Sequence, residues 1–244
     1  MMESNLILVH GLFGSQESML PGGISEVCAS RARTVAELGE AVGVRHYEWV
    51  EGSGKAVANR LLRLARGTAR PVDALEIIEL DEQAMRAALT EDSARLCWQQ
   101  MLGCAPYGLD PGRSFILIGK PRPLVDGPGV GQRVLWLGCG LDQLSEAEFI
   151  AHYTGHHGPL VARNAQTLGV RRYRQVASEQ VMLCDALREL GLGQANPPAV
   201  FAELIMGTPP LNLASLRARR EATREIKADE KRHIDFARSM LLLA

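Results

Sequence analysis

"GVRHY" (Gly43–Tyr47) and "GVRRY" (Gly169–Tyr173) lie 126 positions apart and differ at one residue. "NLILVHGL", from Asn5, and "GQRVLWLG", from Gly131, stand at the same spacing. Two blocks that share one offset without a gap point to a duplicated chain. Such repeats are read before any motif.

Each half then runs through the same order of elements. In the first half, strands are predicted at Leu6–Leu12, Val44–Val50, Ala74–Leu80 and Ser114–Gly119. The helices are Ile24–Val42 and Gln83–Leu102. In the first of these, Val27, Ala32, Val35, Leu38 and Val42 repeat at helical spacing. In the second half, the strands are Arg133–Leu137, Val170–Val176, Val200–Met206 and Arg238–Leu243. Its helices are Ser145–Arg163 and Leu213–Asp235. Ser145 and Glu148 have the Ser-x-x-Glu spacing of a capping box. Gln180–Pro198 has no counterpart and reads as an inserted short helix and loop.

Strand–helix–strand, twice over, is the split βαβ pattern. The fold class is therefore α+β, with two tandem ferredoxin-like (split βαβ) repeats. A sheet with helices on one face must bury the other. The two antiparallel sheets are expected to face each other as a fused α/β barrel, with a ligand space between them. Repeat 1 covers residues 1–119, a linker rich in Pro and Gly covers 120–132, and repeat 2 covers 133–244.

The chain has 244 residues, 46% hydrophobic and 23% charged, with formal net charge −1. That balance gives no basic surplus to hold a phosphate backbone, so nucleic acid is excluded as a main partner. The run Arg217–Arg220 is followed by Glu221, Glu225, Asp229 and Glu230 at helical spacings, and reads as a solvated helix face. The five cysteines form no C-x-x-C pair. Reduced thiols in a cytoplasmic protein are expected. No membrane span and no signal peptide is expected.

Three motifs are weaker than they look. "LILVHGLFG" has the look of a hydrolase oxyanion strand, but no G-x-S-x-G elbow exists; Ser53 sits in "EGSGK". "GPGVG" (Gly127–Gly131) precedes a strand where a phosphate-cradling loop would open a helix. His152 and His156 are four apart, as helical zinc pairs are, but Tyr153 stands where a metalloprotease needs Glu. A third ligand would have to come from far along the chain, from His10 or His46, so no metal is expected.

"FIAHYTGHHGPLV" (Phe149–Val161) holds three of the six histidines just ahead of Gly158-Pro159. On a helix, Phe149, Tyr153, His156, His157 and Leu160 share the buried side, and His152 turns toward solvent. Pro159 distorts the backbone and frees carbonyls. An imidazole at such a break suits proton transfer at neutral pH. It equally suits a core histidine bonded to a freed carbonyl.

This segment and "GVRRYRQV" resemble the EthD family of small dimeric α/β-barrel proteins. Tyr153, His157, Gly158, Pro159, Leu160, Tyr173 and Gln175 fit its pattern, and "ADEKRHIDF" (Ala228–Phe236) is similar to the acidic end of its second helix. The resemblance implies a pocket in repeat 2 and a possible homodimer. Repeat 1 departs from the pattern: Val27, Ser30, Arg31 and Arg33 stand where Tyr153, His156, His157 and Pro159 stand in repeat 2.

The expected function is a cofactor-free enzyme of lyase or isomerase type. It acts on a small apolar substrate, of aromatic or polyketide-like type, that bears a carbonyl or hydroxyl. His157 moves a proton. Tyr153, His156, Tyr173 and Gln175 bind the substrate. The alternatives are a non-catalytic small-ligand carrier or a haem-binding or monooxygenase-type member of the superfamily.

Overall fold

A computed structural model describes residues 5–14, 23–51, 72–193, 195–208 and 212–244. Met1–Ser4 and Ser53 lie outside the described residues. The chain divides into two compact units. Among the described residues, the first is built on 5–14, 23–51, 72–121, 178–193 and 195–197, and the second on 122–177, 198–208 and 212–244.

In the first unit, strands β1 (Asn5–Leu12), β2 (Val44–Glu51), β3 (Ala74–Asp81) and β4 (Phe115–Gly119) form one sheet in the order β2-β3-β1-β4. β1 runs antiparallel to both β3 and β4, and β2 antiparallel to β3. Helix α1 (Gly23–Leu38) ends in a 3-10 turn at Glu40–Val42. The single helix predicted over Gln83–Leu102 is two: α2 (Glu82–Ala88) and α3 (Asp92–Leu102). The Thr90 hydroxyl closes the first by donating to the Ala87 carbonyl at 2.7 Å. Leu6, Leu8, Ile78, Leu80, Met85 and Trp98 centre the core.

In the second unit, β5 (Pro121–Val125), β6 (Gln132–Gly138), β7 (Val170–Ala177), β8 (Val200–Met206) and β9 (Met240–Leu243) pair in the order β5-β7-β8-β6-β9. β5 thus rises within the Pro- and Gly-rich stretch between the repeats and adds an edge strand. Without it, the order is that of the first sheet. The registers agree to the residue. Leu12 faces Ala74, and Gly138 faces Val200. The β2–β3 ladder slips between Val44 and His46, and the β7–β8 ladder between Val170 and Arg172. A bulge kept at the same offset of 126 is a feature of the backbone, so the duplication holds in three dimensions.

The helix predicted over Ser145–Arg163 is interrupted. α4 (Glu146–His152) starts from the Ser145 capping box, in which Ser145 and Glu148 each accept from the other's backbone N–H. A cap of this kind contributes about 1 kcal/mol. A π-turn follows at Tyr153–His157, where the Gly158 N–H reaches the Tyr153 carbonyl. The helix resumes as α5 (Gly158–Arg163), with Pro159 in its first turn, where the lost N–H costs least. A one-residue step leads to α6 (Ala165–Leu168).

The inserted stretch forms helix α7 (Val181–Glu189) and belongs to the first unit. Its Leu183, Cys184 and Leu187, with Leu190 and Leu192 after it, complete that unit's core. The last helix, α8 (Leu213–His233), lies in the second unit. No helix among the described residues is long and apolar enough to cross a membrane.

Candidate functional site

The π-turn decides which histidines face inward. It spreads five residues over a turn to which an α-helix gives about four, so the helical wheel loses phase after Tyr153. Tyr153 and His157 are buried, at 2% and 5% exposure. His156, expected on the buried side, has a side chain 61% exposed. His152, expected toward solvent, is only partly exposed and its Nε2 lies 2.8 Å from Asp229 Oδ1.

Asp229 is the hub of the site. Its Oδ2 lies 2.9 Å from His157 Nδ1. His156 Nε2 stands 3.5 Å from Oδ1. One turn further along α8, His233 Nδ1 lies 3.1 Å from the Asp229 backbone carbonyl. The His152 and His233 rings stack, with centroids 3.3 Å apart. Burial alone would raise the Asp229 pKa, but hydrogen bonds from His157 and His152 outweigh it and hold the carboxyl below its ordinary value. His152 moves down as well, because desolvation exceeds the pull of Asp229.

The sequence reading gave Asp229 to a solvated helix face, yet it is 2% exposed. The signal was present. Ala222, Ile226, Asp229, Glu230 and His233 follow the i, i+4, i+7, i+8, i+11 spacing of a buried stripe. Two acids and a histidine at core positions of one helix require partners.

His157 stands on the wall of a cavity of about 380 Å³ within the second unit. The cavity lies between that unit's sheet and its own helices. Strand residues Val134, Trp136, Tyr173, Leu204 and Leu241 form its floor, and Tyr153, Val161 and Ile226 stand on the helix side. Arg219, Thr223, Lys227 and Glu230, all on α8, give it one polar flank. With Nδ1 committed to Asp229, His157 Nε2 has no hydrogen-bond partner among the described residues.

Tyr173 is 1% exposed and accepts a hydrogen bond from Gln175 Nε2. Tyr153 is a second partner for its hydroxyl. Desolvation raises the Tyr173 pKa despite both bonds, so the phenol keeps its proton. Gln175 is buried behind Tyr173, with Oε1 unpartnered among the described residues. The structure therefore gathers His157, Tyr153, Tyr173 and Gln175 and leaves His156 outside the cavity.

Gly158 lets this happen. A Cβ there would lie 2.8 Å from both amide atoms of Gln175 and from Leu124 Cδ1. Gly158→Ala is expected to cost about 1–3 kcal/mol, the range for overpacking, and to push Gln175 off Tyr173. Urea unfolding followed by circular dichroism measures the loss.

The first unit holds a different set at the same positions. At the offset of 126, His10, Arg31, Tyr47 and Glu76 stand where Trp136, His157, Tyr173 and Ala202 stand in the second. Arg31 is fully buried and grips Glu76 through Nε and Nη2, each at 2.7 Å. It also donates to the carbonyls of Leu102 and Gly103. Tyr47 donates to Glu76 at 2.5 Å, and His10 Nδ1 lies 3.0 Å from the same carboxylate. A buried ion pair occupies the ground where the second unit has its histidine.

No curated protein matches the chain. Among solved structures, a putative chlorite dismutase aligns with 100% of this chain and 96% of its own, at 11% identity and TM-score 0.46. A mutant chlorite dismutase from Candidatus Nitrospira defluvii aligns over 100% and 92%, at 9% identity and TM-score 0.45. The EthD domain model matches residues 141–237, a span that takes in the capping box, the π-turn, the Tyr173 strand and the Asp229 helix. The EthD match thus falls within the second half of the chain.

Proposed function

We propose that the second unit binds a small, largely apolar molecule bearing a carbonyl group and moves a proton on it, as a lyase or isomerase does. The observation that carries this reading is the His157–Asp229 pair, 2.9 Å apart, at the wall of an apolar cavity. A carboxylate on Nδ1 fixes the tautomer, leaves Nε2 as the base, and stabilises the imidazolium that forms. Nε2 takes a proton from the carbon next to the carbonyl. Tyr173, whose oxygen accepts from Gln175, donates its own proton toward the carbonyl oxygen. Arg219 and Lys227 favour the negative charge that develops there. Return of the proton to another carbon completes an isomerisation, and expulsion of a β-oxygen completes an elimination.

The cavity alone would serve a carrier, so the test separates binding from chemistry. Trp136 lines the cavity and its fluorescence reports occupancy. Aryl ketones and β-hydroxy ketones are incubated with the protein in D2O, and exchange at the α-carbon is followed by NMR. Exchange that depends on His157 supports the enzyme. Trp136 quenching without exchange gives the carrier instead. Equal exchange by wild type and His157→Gln overturns the proton-transfer role.

A further inference from the structure

The outer side of Asp229 forms a second arrangement that the acid–base reading does not use. His152 and His156 are four apart on one helical segment, and Asp229 and His233 are four apart on α8. Each pair lies one above the other on its helix, and the two pairs meet. We propose that His152, His156, Asp229 and His233 form a site for one divalent transition-metal ion of the zinc type.

The distances fit such an ion. Asp229 Oδ1 is 2.8 Å from His152 Nε2 and 3.5 Å from His156 Nε2. Ligands at about 2.0–2.1 Å from a tetrahedral zinc stand about 3.3–3.4 Å from one another. Ligand atoms of His152, Asp229 and His233 all lie within 4.8 Å of one another. To share one ion, the His152 and His233 rings must turn out of their stacked, nearly parallel arrangement.

The surroundings fit as well. His233 Nδ1 lies 3.1 Å from the Asp229 carbonyl and 3.8 Å from Asp229 Oδ1, beside the carboxylate that would share the ion. Asp229 Oδ2 is bonded to His157, so the carboxylate is held from behind. His156, being mostly exposed, gives the ion a path from solvent. Three imidazoles and one carboxylate suit Zn²⁺, Co²⁺ and Ni²⁺ rather than Mg²⁺ or Ca²⁺. The third and fourth groups come from α8 and not from His10 or His46.

The inference shares Asp229 with the proposed reaction but is tested separately from it, since His157→Gln leaves all four ligands in place. The test uses the tag-free full chain, freed of metal by a chelator and titrated with Co²⁺, with Zn²⁺ as competitor. Wild type is expected to bind one equivalent, with the visible absorption of four-coordinate Co²⁺ bleached by Zn²⁺. His152→Ala and His233→Ala should each weaken binding at least tenfold. His156→Ala, at an exposed position, should do so with the fold intact. His46→Ala should bind as wild type. No saturable Co²⁺ site in wild type, or undiminished binding by His156→Ala and His233→Ala, overturns the proposal.

Discussion

His157→Gln is expected to give a folded protein with proton-transfer activity lowered about a hundredfold to ten-thousandfold, the usual range for loss of a general acid or base. Glutamine keeps a donor for Asp229 and fills much of the same space. The structural loss should then stay on the order of 1–2 kcal/mol. These two magnitudes separate the readings. If His157 only packs, the variant unfolds earlier but retains near-normal turnover per folded molecule. Asp229→Asn should lose activity too, because an amide can hold the imidazole in the wrong tautomer. The checks are α-carbon exchange by NMR and urea unfolding on the same samples.

Arg31→Met should have the largest effect on stability of any change in the first unit. It strips the charge from a pair that is wholly out of water and leaves Glu76 ionised in the core. Breaking a buried pair in this way costs about 3–5 kcal/mol. Removing both charges, as Arg31→Met with Glu76→Leu, should recover much of that loss, since well-packed apolar replacements of buried pairs are often neutral. A double-mutant cycle in urea measures the coupling, and additive losses would refute it. The Arg31 variant should lose far less activity than His157→Gln.

The same pair gives the first unit an acid limit. Burial alone would raise the Glu76 pKa, but Arg31 and His10 outweigh it and hold the carboxyl at about 2, against an ordinary 4.5. A pKa depressed by folding contributes stability that is complete above the ordinary value. That contribution is lost as pH falls from about 4.5 toward about 2. Unfolding free energies of wild type should therefore drop across this window. Those of the double variant should be flatter there.

Much of the fold was legible because duplication leaves two readings of one pattern. The strands were given by β-branched runs at a common offset, and the register and bulge confirm them. The helix breaks were less legible. Thr90 and Pro159 mark them, yet neither residue says whether a helix stops or detours. The π-turn therefore escaped, and with it the true facing of His152 and His156. Tyr153, His157, Tyr173 and Gln175 were singled out through one motif, and the fold places them near one another. Asp229 was missed because a charge in a basic and acidic helix looks solvated until its i+4 and i+7 neighbours are counted. Arg31 was recognised as a departure at the place of His157, but its burial with Glu76 could not be read from spacing. Glu76 lies in another strand, and only the β1–β3 register brings it beside His10.

Helix α7 has a consequence for how this chain is made. The first unit's core needs Leu183, Leu187 and Leu192, which the ribosome adds well after Gly119 closes the last strand of that sheet. At roughly 5–20 residues per second, several seconds separate the two events. During them Leu6, Ile116 and Ile118 wait for their last neighbours while β6 and β7 of the other unit are already emerging. The N-terminal unit is thus the first begun but cannot be finished before half of its successor exists. Nascent chains stalled near Ala177 should leave it open to protease, and chains stalled far enough beyond Pro197 for that segment to leave the exit tunnel should not.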